Sequence, residues 1–378
     1  MVTVEFPAAR RKRAALFDRI AAEPLAFVDP KLRGTGIAEV LRVPVAQWER
    51  HVPRRAWGPV ELALVRQHRI LPPVRSSWFV EELQNDVISL QRQVAILQLK
   101  LKAELGRVLK QLSQHEIDAR VLKGLATGEL DYPSKGMRQT GDVDVLVRPS
   151  DLARTLDVLS EYSSHPMDGA VDFHLLKGAT VAREPRVEVD LHVRLSQYSR
   201  QDPETLMGHG ETLAPGQLAL PAELRLLHAA GHLLWTPPGQ RRLSGLLDIG
   251  VIVDRGFDSE TLTTLANELG LAGLAGAGLR IEHAVRERPG QPIDLGNPTE
   301  LERLAKIRPD RALPFEHLLA ISATDGWADR LRYSRQSLFP GGEHVRRRGG
   351  WRSYYGKLVP KRAVDRNPAP GEAAKPEA

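Results

Sequence analysis

Two aspartates separated by a single valine are the first residues in the sequence whose spacing could do chemistry. The segment 141–147 (GDVDVLV) predicts a β-strand, and side chains two residues apart on a strand point to the same side. Asp142 and Asp144 therefore share one face, while the intervening and following valines face the core. Two neighbouring carboxylates repel each other and resist desolvation. They are expected either on a solvated edge strand or around a divalent cation that neutralises them.

A second acidic pattern follows at residues 187–195 (VEVDLHVRL), where apolar and polar residues alternate without a break. The polar face of this predicted strand carries Glu188, Asp190, His192 and Arg194. One interpretation is a solvated sheet face with cross-strand ion pairs. The other is that Asp190 supplies a third carboxylate to a metal site that already contains Asp142 and Asp144.

Three carboxylates on adjacent strands suit a two-metal reaction. Hard oxygen ligands can hold two Mg²⁺ ions about 3.5–4 Å apart. In such a site one ion activates an attacking hydroxyl, and the other holds a triphosphate and stabilises the departing pyrophosphate. This chemistry needs no protein nucleophile, in agreement with a sequence that has no cysteine and no GxSxG serine motif.

A long amphipathic helix is predicted ahead of these strands. Its apolar residues recur at alternating spacings of four and three, at Leu83, Val87, Leu90, Val94, Leu97 and Leu101. This spacing predicts one apolar face, which we expect to pack against a sheet; a coiled coil is the alternative. Strands are also predicted at 119–124, 143–148 and 173–176, and helices at 222–235, 243–254, 259–288 and in pieces from 299 to 338.

The order of these elements predicts an α/β (α+β) fold, in which a mixed-sheet core follows a long helix and precedes a helical domain. Four regions are expected. They are an N-terminal helical extension (1–80), the core (81–200), a helical substrate or cap domain (201–345) and a basic, partly disordered tail (346–378).

Composition excludes several classes of protein. The absence of cysteine excludes disulfide frameworks, zinc–thiolate sites, iron–sulfur clusters and thiol catalysis. No apolar run approaches the roughly 20 residues that span a bilayer, and no signal peptide is recognisable. We therefore expect a cytoplasmic protein that does not bind membranes. The net charge of +6 is modest, but the basic tail at Arg346, Arg347 and Arg348 could bind nucleic acid or form a solvated helix.

These motifs together resemble a known family. The segment 121–152 (VLKGLATGELDYPSKGMRQTGDVDVLVRPSDL) and the later VDLHVRL strand are similar to the uncharacterised nucleotidyltransferase family of the DNA polymerase β-like superfamily. That family typically shows Leu-Lys-Gly before a helix, an arginine upstream of Gly-Asp-x-Asp, and a later Asp-Leu-His strand. With LRLLHAAGHLLW and LLDIG further along, the resemblance covers roughly residues 85–360.

The resemblance implies a polymerase β-like nucleotidyltransferase core and assigns roles within it. Asp142 and Asp144 would bind both metals, and Asp190 would be the third ligand or the base that helps to deprotonate an acceptor hydroxyl. Lys123 and Gly124 stand where the superfamily usually has a Gly-Ser phosphate-binding turn, although Lys123 could also be a surface lysine at a strand end. The remaining nucleotide-binding candidates are Arg138, near the triphosphate, Gly141 and His192.

Several candidates also have a purely structural interpretation. Arg138 could simply pair with a carboxylate. His228 and His232 share a helix face, but HAAGH lacks the acid of a zinc-binding HExxH motif, so we expect them to pack or to line a cleft. Asp248 lies in an apolar helical run and needs a partner there, for which His228 or Arg242 is expected.

The resulting hypothesis is a nucleotidyltransferase that depends on Mg²⁺ or Mn²⁺. It would move a nucleoside monophosphate from an NTP to a small molecule, a protein or an RNA, with release of pyrophosphate. The alternative is a catalytically weak or inactive polymerase β-like protein that acts as a nucleic-acid-binding or interaction module. A glycosyltransferase with a DxD motif is disfavoured, because no nucleotide-sugar domain precedes the motif.

Overall fold

The computed structural model describes residues 28–161, 163–164, 178–183, 187–195, 203–236 and 241–287, together with Leu25, Ser199 and Leu331. The strand predicted at 173–176, almost all of the helical pieces predicted at 299–338 and the basic tail lie outside the described residues. Within these ranges no helix combines the length and the apolar character needed to cross a membrane.

A mixed seven-stranded sheet forms the centre of the α/β region. Its strands are β1 Ala119–Val121, β2 Val143–Val147, β3 Ser163–Ser164, β4 Gly178–Arg183, β5 Val187–His192, β6 Glu211–Ala214 and β7 Gln217–Ala219. Their spatial order is β3-β4-β5-β2-β1-β7-β6. Strand β2 lies between an antiparallel neighbour, β1, and a parallel neighbour, β5. The predicted mixed α/β core is confirmed, and β6 and β7 extend its sheet beyond residue 200.

The helices lie before, between and after these strands. They are α1 Gly36–Val40, α2 Pro59–Gln67, α3 Glu81–Gln114, α4 Lys123–Leu130, α5 Leu152–Val158, α6 Pro203–Met207, α7 Ala222–Trp235, α8 Leu243–Arg255, α9 Ser259–Glu268 and α10 Ala272–Arg286. Helices α7–α10 form the helical region that was predicted after residue 221, but the single helix predicted at 259–288 is wrong, because the helix breaks between α9 and α10. Strand β1 is shorter than predicted, because the chain turns into α4 at Lys123.

The long helix α3 connects two hydrophobic cores. Its C-terminal half packs against the strands of the sheet through Leu101, Leu105, Val108 and Leu112. Its N-terminal half, with Val87 at the centre, packs into a second core. The predicted packing of this helix on a sheet is therefore correct for its C-terminal half, whereas Leu97 lies between the two cores and is 38% exposed.

The N-terminal segment 28–79 belongs to the second core. Its apolar residues, including Trp48, Trp57 and Trp78, pack in one cluster with those of α7–α10. The rings of Trp57 and Trp78 meet edge to face with their centroids 5.1 Å apart, a favourable aromatic geometry. Because this segment and the helical region share a core, the segment is positioned to form part of any cavity between the sheet and the helices.

Candidate active site

Asp144 and Asp190 lie side by side at the centre of the sheet. Strands β2 and β5 are parallel, and their register pairs these two residues directly. Asp144 is only 2% exposed, whereas Asp190 is half-buried. Candidate ligand atoms of Asp144, Asp190 and His192 all lie within 4.8 Å of one another. The two acidic patterns in the sequence therefore meet, as their strand periodicity predicted.

Asp142 stands at the edge of this cluster. It precedes β2 by one residue and lines the same cavity as Asp144. Burial, reinforced by the negative charge of Asp144, raises the pKa of Asp142. The tight three-residue cluster thus contains His192 where the sequence predicted Asp142. The Asp142 carboxylate is a neighbouring group, and a nearby cation would stabilise its ionised form.

Two basic side chains converge on Asp144. The Lys123 ammonium donates to Asp144 Oδ1, and His192 Nε2 lies 2.8 Å from the same oxygen. Although burial alone would raise it, the Lys123 charge and the His192 hydrogen bond hold the pKa of Asp144 well below its usual range. Asp144 is therefore ionised, and Lys123 is an ion-paired site residue, which excludes the surface-lysine interpretation.

The turn between β1 and α4 is fitted closely to the loop that precedes β2. Lys123 adopts a left-handed backbone conformation with φ of 46°, which is uncommon for a residue with a side chain. A Cβ atom added to Gly124 would lie 2.5 Å from Thr140 Oγ1. Glycine is required here because Thr140 occupies the space of a side chain. The packing of Gly124 against Thr140 thereby positions the loop that leads to Asp142.

Arg138 forms a buried ion pair with Asp248. The pair is bidentate, with Nε 2.6 Å from Oδ1 and Nη2 2.8 Å from Oδ2, and Tyr132 donates to Oδ1 over 3.0 Å. The interpretation in which Arg138 pairs with a carboxylate is confirmed. The expectation that His228 or Arg242 is the partner of Asp248 is wrong, because Arg138 fills that place. Arg138 nevertheless lines the cavity.

The histidine pair on α7 lies at the same cavity. Burial lowers the pKa of His228 well below its usual value, so its ring is neutral. That ring meets the ring of His192 edge to face, with centroids 6.1 Å apart. His232 is more exposed. Both histidines line the cleft, as the sequence predicted for residues that lack an acidic zinc-binding partner between them.

A cavity of about 780 Å³ opens in front of these groups. The basic residues that line it are Lys31, Arg69, Lys123, Arg138, Arg225, Arg241 and Arg242, and the acidic ones are Asp142, Asp144 and Asp248. Arg225 is bound to Asp131 in a buried bidentate pair. The sequence alone gave no role in this site to Lys31, Arg69 or Arg241, which belong to no motif and lie far from the aspartates along the chain.

The paired aspartates of the mixed sheet lie beside a cavity that is lined mainly by basic side chains. The chain belongs to the uncharacterised nucleotidyltransferase family, whose family model matches residues 59–286. A crystal structure of an antigenic nucleotidyltransferase-like protein from Paracoccidioides brasiliensis is also similar, at 20% sequence identity and a TM-score of 0.30, over 47% of this chain and 92% of that chain. A search of curated proteins found no match.

Proposed function

We propose that this protein transfers a nucleoside monophosphate from an NTP to an acceptor and releases pyrophosphate, with Mg²⁺ or Mn²⁺ bound at the aspartate cluster. One observation carries the proposal. The parallel register of β2 and β5 pairs Asp144 with Asp190, beside Asp142 and a cavity in which basic residues outnumber acidic ones. Carboxylates attract divalent cations, and the excess of basic side chains favours a polyphosphate.

The donor set supports a divalent metal. Asp142, Asp144 and Asp190 would offer the hard oxygen ligands that Mg²⁺ prefers, and His192 would add a nitrogen that Mn²⁺ accepts more readily. Burial and the charge of Asp144 raise the pKa of Asp142, and a cation bound beside this carboxylate would offset both effects. When bound, such metals supply activation of the attacking hydroxyl and neutralisation of phosphate charge.

The proposed reaction is an in-line displacement at the α-phosphorus of the NTP. An acceptor oxygen forms the new bond to this phosphorus. The bond between the α-phosphorus and the oxygen that bridges the α- and β-phosphates breaks, and pyrophosphate leaves with that oxygen. Asp190 is the residue we assign to receive the proton of the acceptor hydroxyl, because it is ionisable, half-buried and adjacent to Asp144. Lys123, Gly124, Arg138, Gly141 and His192 remain the proposed nucleotide-binding residues.

We favour a small-molecule acceptor over a protein or an RNA. The cavity volume of about 780 Å³ lies within the range of roughly 300–1,000 Å³ found for small-ligand sites. Binding of RNA is the alternative, and it would depend on the basic tail at 346–348. The compartment we propose is the cytoplasm.

Label transfer tests this proposal. The protein would be incubated with each α-³²P-labelled NTP and Mg²⁺ or Mn²⁺, in the presence of a small-molecule extract, tRNA or a protein fraction. We expect label in one acceptor fraction, strict dependence on the metal, and its loss on addition of EDTA.

The matched control is Asp144→Asn, assayed as a folded protein beside the wild type. Transfer that survives this substitution would contradict the role of the aspartate cluster. A complete absence of transfer with every NTP, accompanied by tight binding of RNA, would instead support the inactive nucleic-acid-binding module.

A further inference from the structure

Arg69 reaches the active-site cavity from the N-terminal segment. It is the second residue after the end of α2 and adopts a left-handed backbone conformation with φ of 55°. Its guanidinium group lies over the backbone just before Asp142, because a Cβ atom added to Gly141 would lie only 3.0 Å from Arg69 Nη1. Gly141 therefore leaves the space in which this arginine approaches the aspartates.

The residue before Arg69 fastens this segment to the start of α8. The backbone N–H of Leu243 donates to His68 Nδ1 over 3.3 Å, and the N–H of Ser244 donates to the His68 carbonyl over 3.2 Å. On its other side, His68 Nε2 lies 3.3 Å from Asp29 Oδ2. His68 is completely buried, and its contacts with Leu243 and Ser244 hold the neighbouring residues Arg69 and Arg242 on the same side of the cavity.

Arg69 and Arg242 both line the cavity, and Asp142 is the carboxylate whose charge acts on each of them. Burial and then the charge of Arg69 lower the pKa of Arg242, against the opposing charge of Asp142, so the two arginines repel each other across the cavity wall. In the part of the chain that the structure describes, neither arginine makes a direct salt bridge, so the charge of Asp142 acts on both from a distance. Both line the cavity, so the repulsion between them would be relieved by an anion bound there.

We infer that Arg69 and Arg242 form a phosphate-binding pair that receives the triphosphate of the nucleotide. This inference rests on the proposed function and extends it to the N-terminal segment. A guanidinium group presents its donors in a planar fork that matches phosphate oxygens. The position of Arg69 beside Gly141 and Asp142 places this pair next to the proposed metal ligands, where the polyphosphate would lie.

Binding of tripolyphosphate in EDTA tests the pair without any metal or catalysis. Titration calorimetry would compare the wild type with Arg69→Gln, Arg242→Gln and the double variant. We expect affinity to fall by roughly tenfold for each arginine, as expected for the loss of charge-assisted hydrogen bonds.

The control is Arg66→Gln, because Arg66 is exposed on α2 and does not line the cavity. This substitution should leave the affinity for tripolyphosphate unchanged. Arg242 is exposed and directly precedes α8, so its variant should fold even if Arg69→Gln does not.

Three outcomes separate the possibilities. Affinity for tripolyphosphate that is equal in the wild type and in Arg242→Gln would overturn the inference, even if nucleotide transfer is observed. Weaker binding of glycerol phosphate with unchanged binding of tripolyphosphate would assign the pair to a phosphorylated acceptor and would also overturn it. Dependence of tripolyphosphate binding on both arginines would support the pair even if no nucleotide transfer were found.

Discussion

Asp142 and Asp144 differ more than their two-residue spacing indicates. The pKa of Asp142 is raised by burial and by the charge of Asp144, whereas the pKa of Asp144 is lowered through Lys123 and His192. Strand periodicity alone predicts equal repulsion at both positions. Lys123 forms its ion pair with Asp144, and its charge offsets only part of the burial and repulsion that raise the pKa of Asp142.

This difference predicts opposite effects of two isosteric substitutions. Asp144→Asn removes the partner of a buried lysine and should lower the free energy of unfolding by about 3 kcal/mol. Asp142→Asn removes an unfavourable charge and should leave the metal-free protein at least as stable. Both should lower transfer more than about 100-fold, because each removes a proposed metal ligand. Urea denaturation in EDTA measures the stabilities, and equal destabilisation by the two substitutions would contradict the assignment of Lys123 to Asp144.

Some residues of the site could be predicted from sequence and others could not. The sequence could predict the three aspartates as candidates, because strand periodicity and a family resemblance are both visible within short segments. They are Asp142, Asp144 and Asp190. The partner of Arg138 could not be predicted from the sequence, because Asp248 lies 110 residues further along the chain and only tertiary packing brings the two together. Arg69 lacks any sequence signal for the same reason.

At the scale of single elements, the turn between β1 and α4 determines how the loop before Asp142 is packed. Gly124→Ala would place a Cβ atom 2.5 Å from Thr140 Oγ1. Overpacking of this kind costs about 1–3 kcal/mol, so the variant should be less stable and should transfer more slowly. Thermal or urea unfolding of the variant measures this cost.

Two further variants test the cause of that loss. The second substitution Thr140→Gly removes the obstructing side chain and should recover part of the stability of Gly124→Ala. The control is Gly106→Ala in α3, where an added Cβ atom meets nothing within 4 Å. That change should stabilise the protein by about 0.5–1 kcal/mol. No recovery in the double variant would show that Thr140 is not the obstacle.

His68, which joins the N-terminal segment to α8, predicts a dependence of stability on pH. Burial lowers the pKa of His68 below 6.5, against the opposing charge of Asp29. The unfolded chain therefore binds a proton more readily than the folded protein does. The stabilisation that comes from neutral His68 is fully present above the pKa of this histidine in the unfolded chain. It is lost as the pH falls toward the lower pKa of His68 in the folded protein. The free energy of unfolding should therefore decrease from pH 7 to pH 5.

The substitution His68→Asn isolates the contribution of His68 to the pH dependence of stability. His68→Asn does not titrate, and its amide oxygen can still accept the N–H of Leu243, so the pH dependence should become shallower. The exposed His115 at the end of α3 provides the control His115→Asn, which should keep the wild-type profile. Identical profiles for the wild type and His68→Asn in chemical denaturation would show that this junction does not titrate with folding.

At the scale of the whole molecule, the elements were more predictable than their assembly. The long helix, the central strands and the later helices each have a clear hydrophobic period. The sharing of one core by residues 28–79 and α7–α10 has no counterpart in any local pattern, since it depends on the way distant apolar faces meet. The cavity formed between these parts therefore emerges only from the complete fold.

The basic tail distinguishes between acceptors at this same scale. If the acceptor is a small molecule, as we propose, replacing Arg346, Arg347 and Arg348 with glutamine should barely change turnover. If the acceptor is RNA, each lost phosphate contact should lower the slope of log affinity against log salt by about 0.7–0.9. Transfer rates measured from 50 to 200 mM salt would separate these outcomes. A steep salt dependence that disappears in the triple variant would contradict a small-molecule acceptor.

Labels at the two ends of the nucleotide test nucleotidyl transfer by the aspartate cluster. Reactions with α-³²P- and γ-³²P-labelled NTP would be run on the wild type, Asp190→Ala and Glu188→Ala. These acids lie two residues apart on β5, with Asp190 paired to Asp144 and half-buried and Glu188 exposed. We expect α-label in the acceptor and γ-label in pyrophosphate, and we expect transfer to be abolished in Asp190→Ala and largely retained in Glu188→Ala. Appearance of γ-label in the acceptor, or the reverse ranking of the two variants, would contradict this expectation.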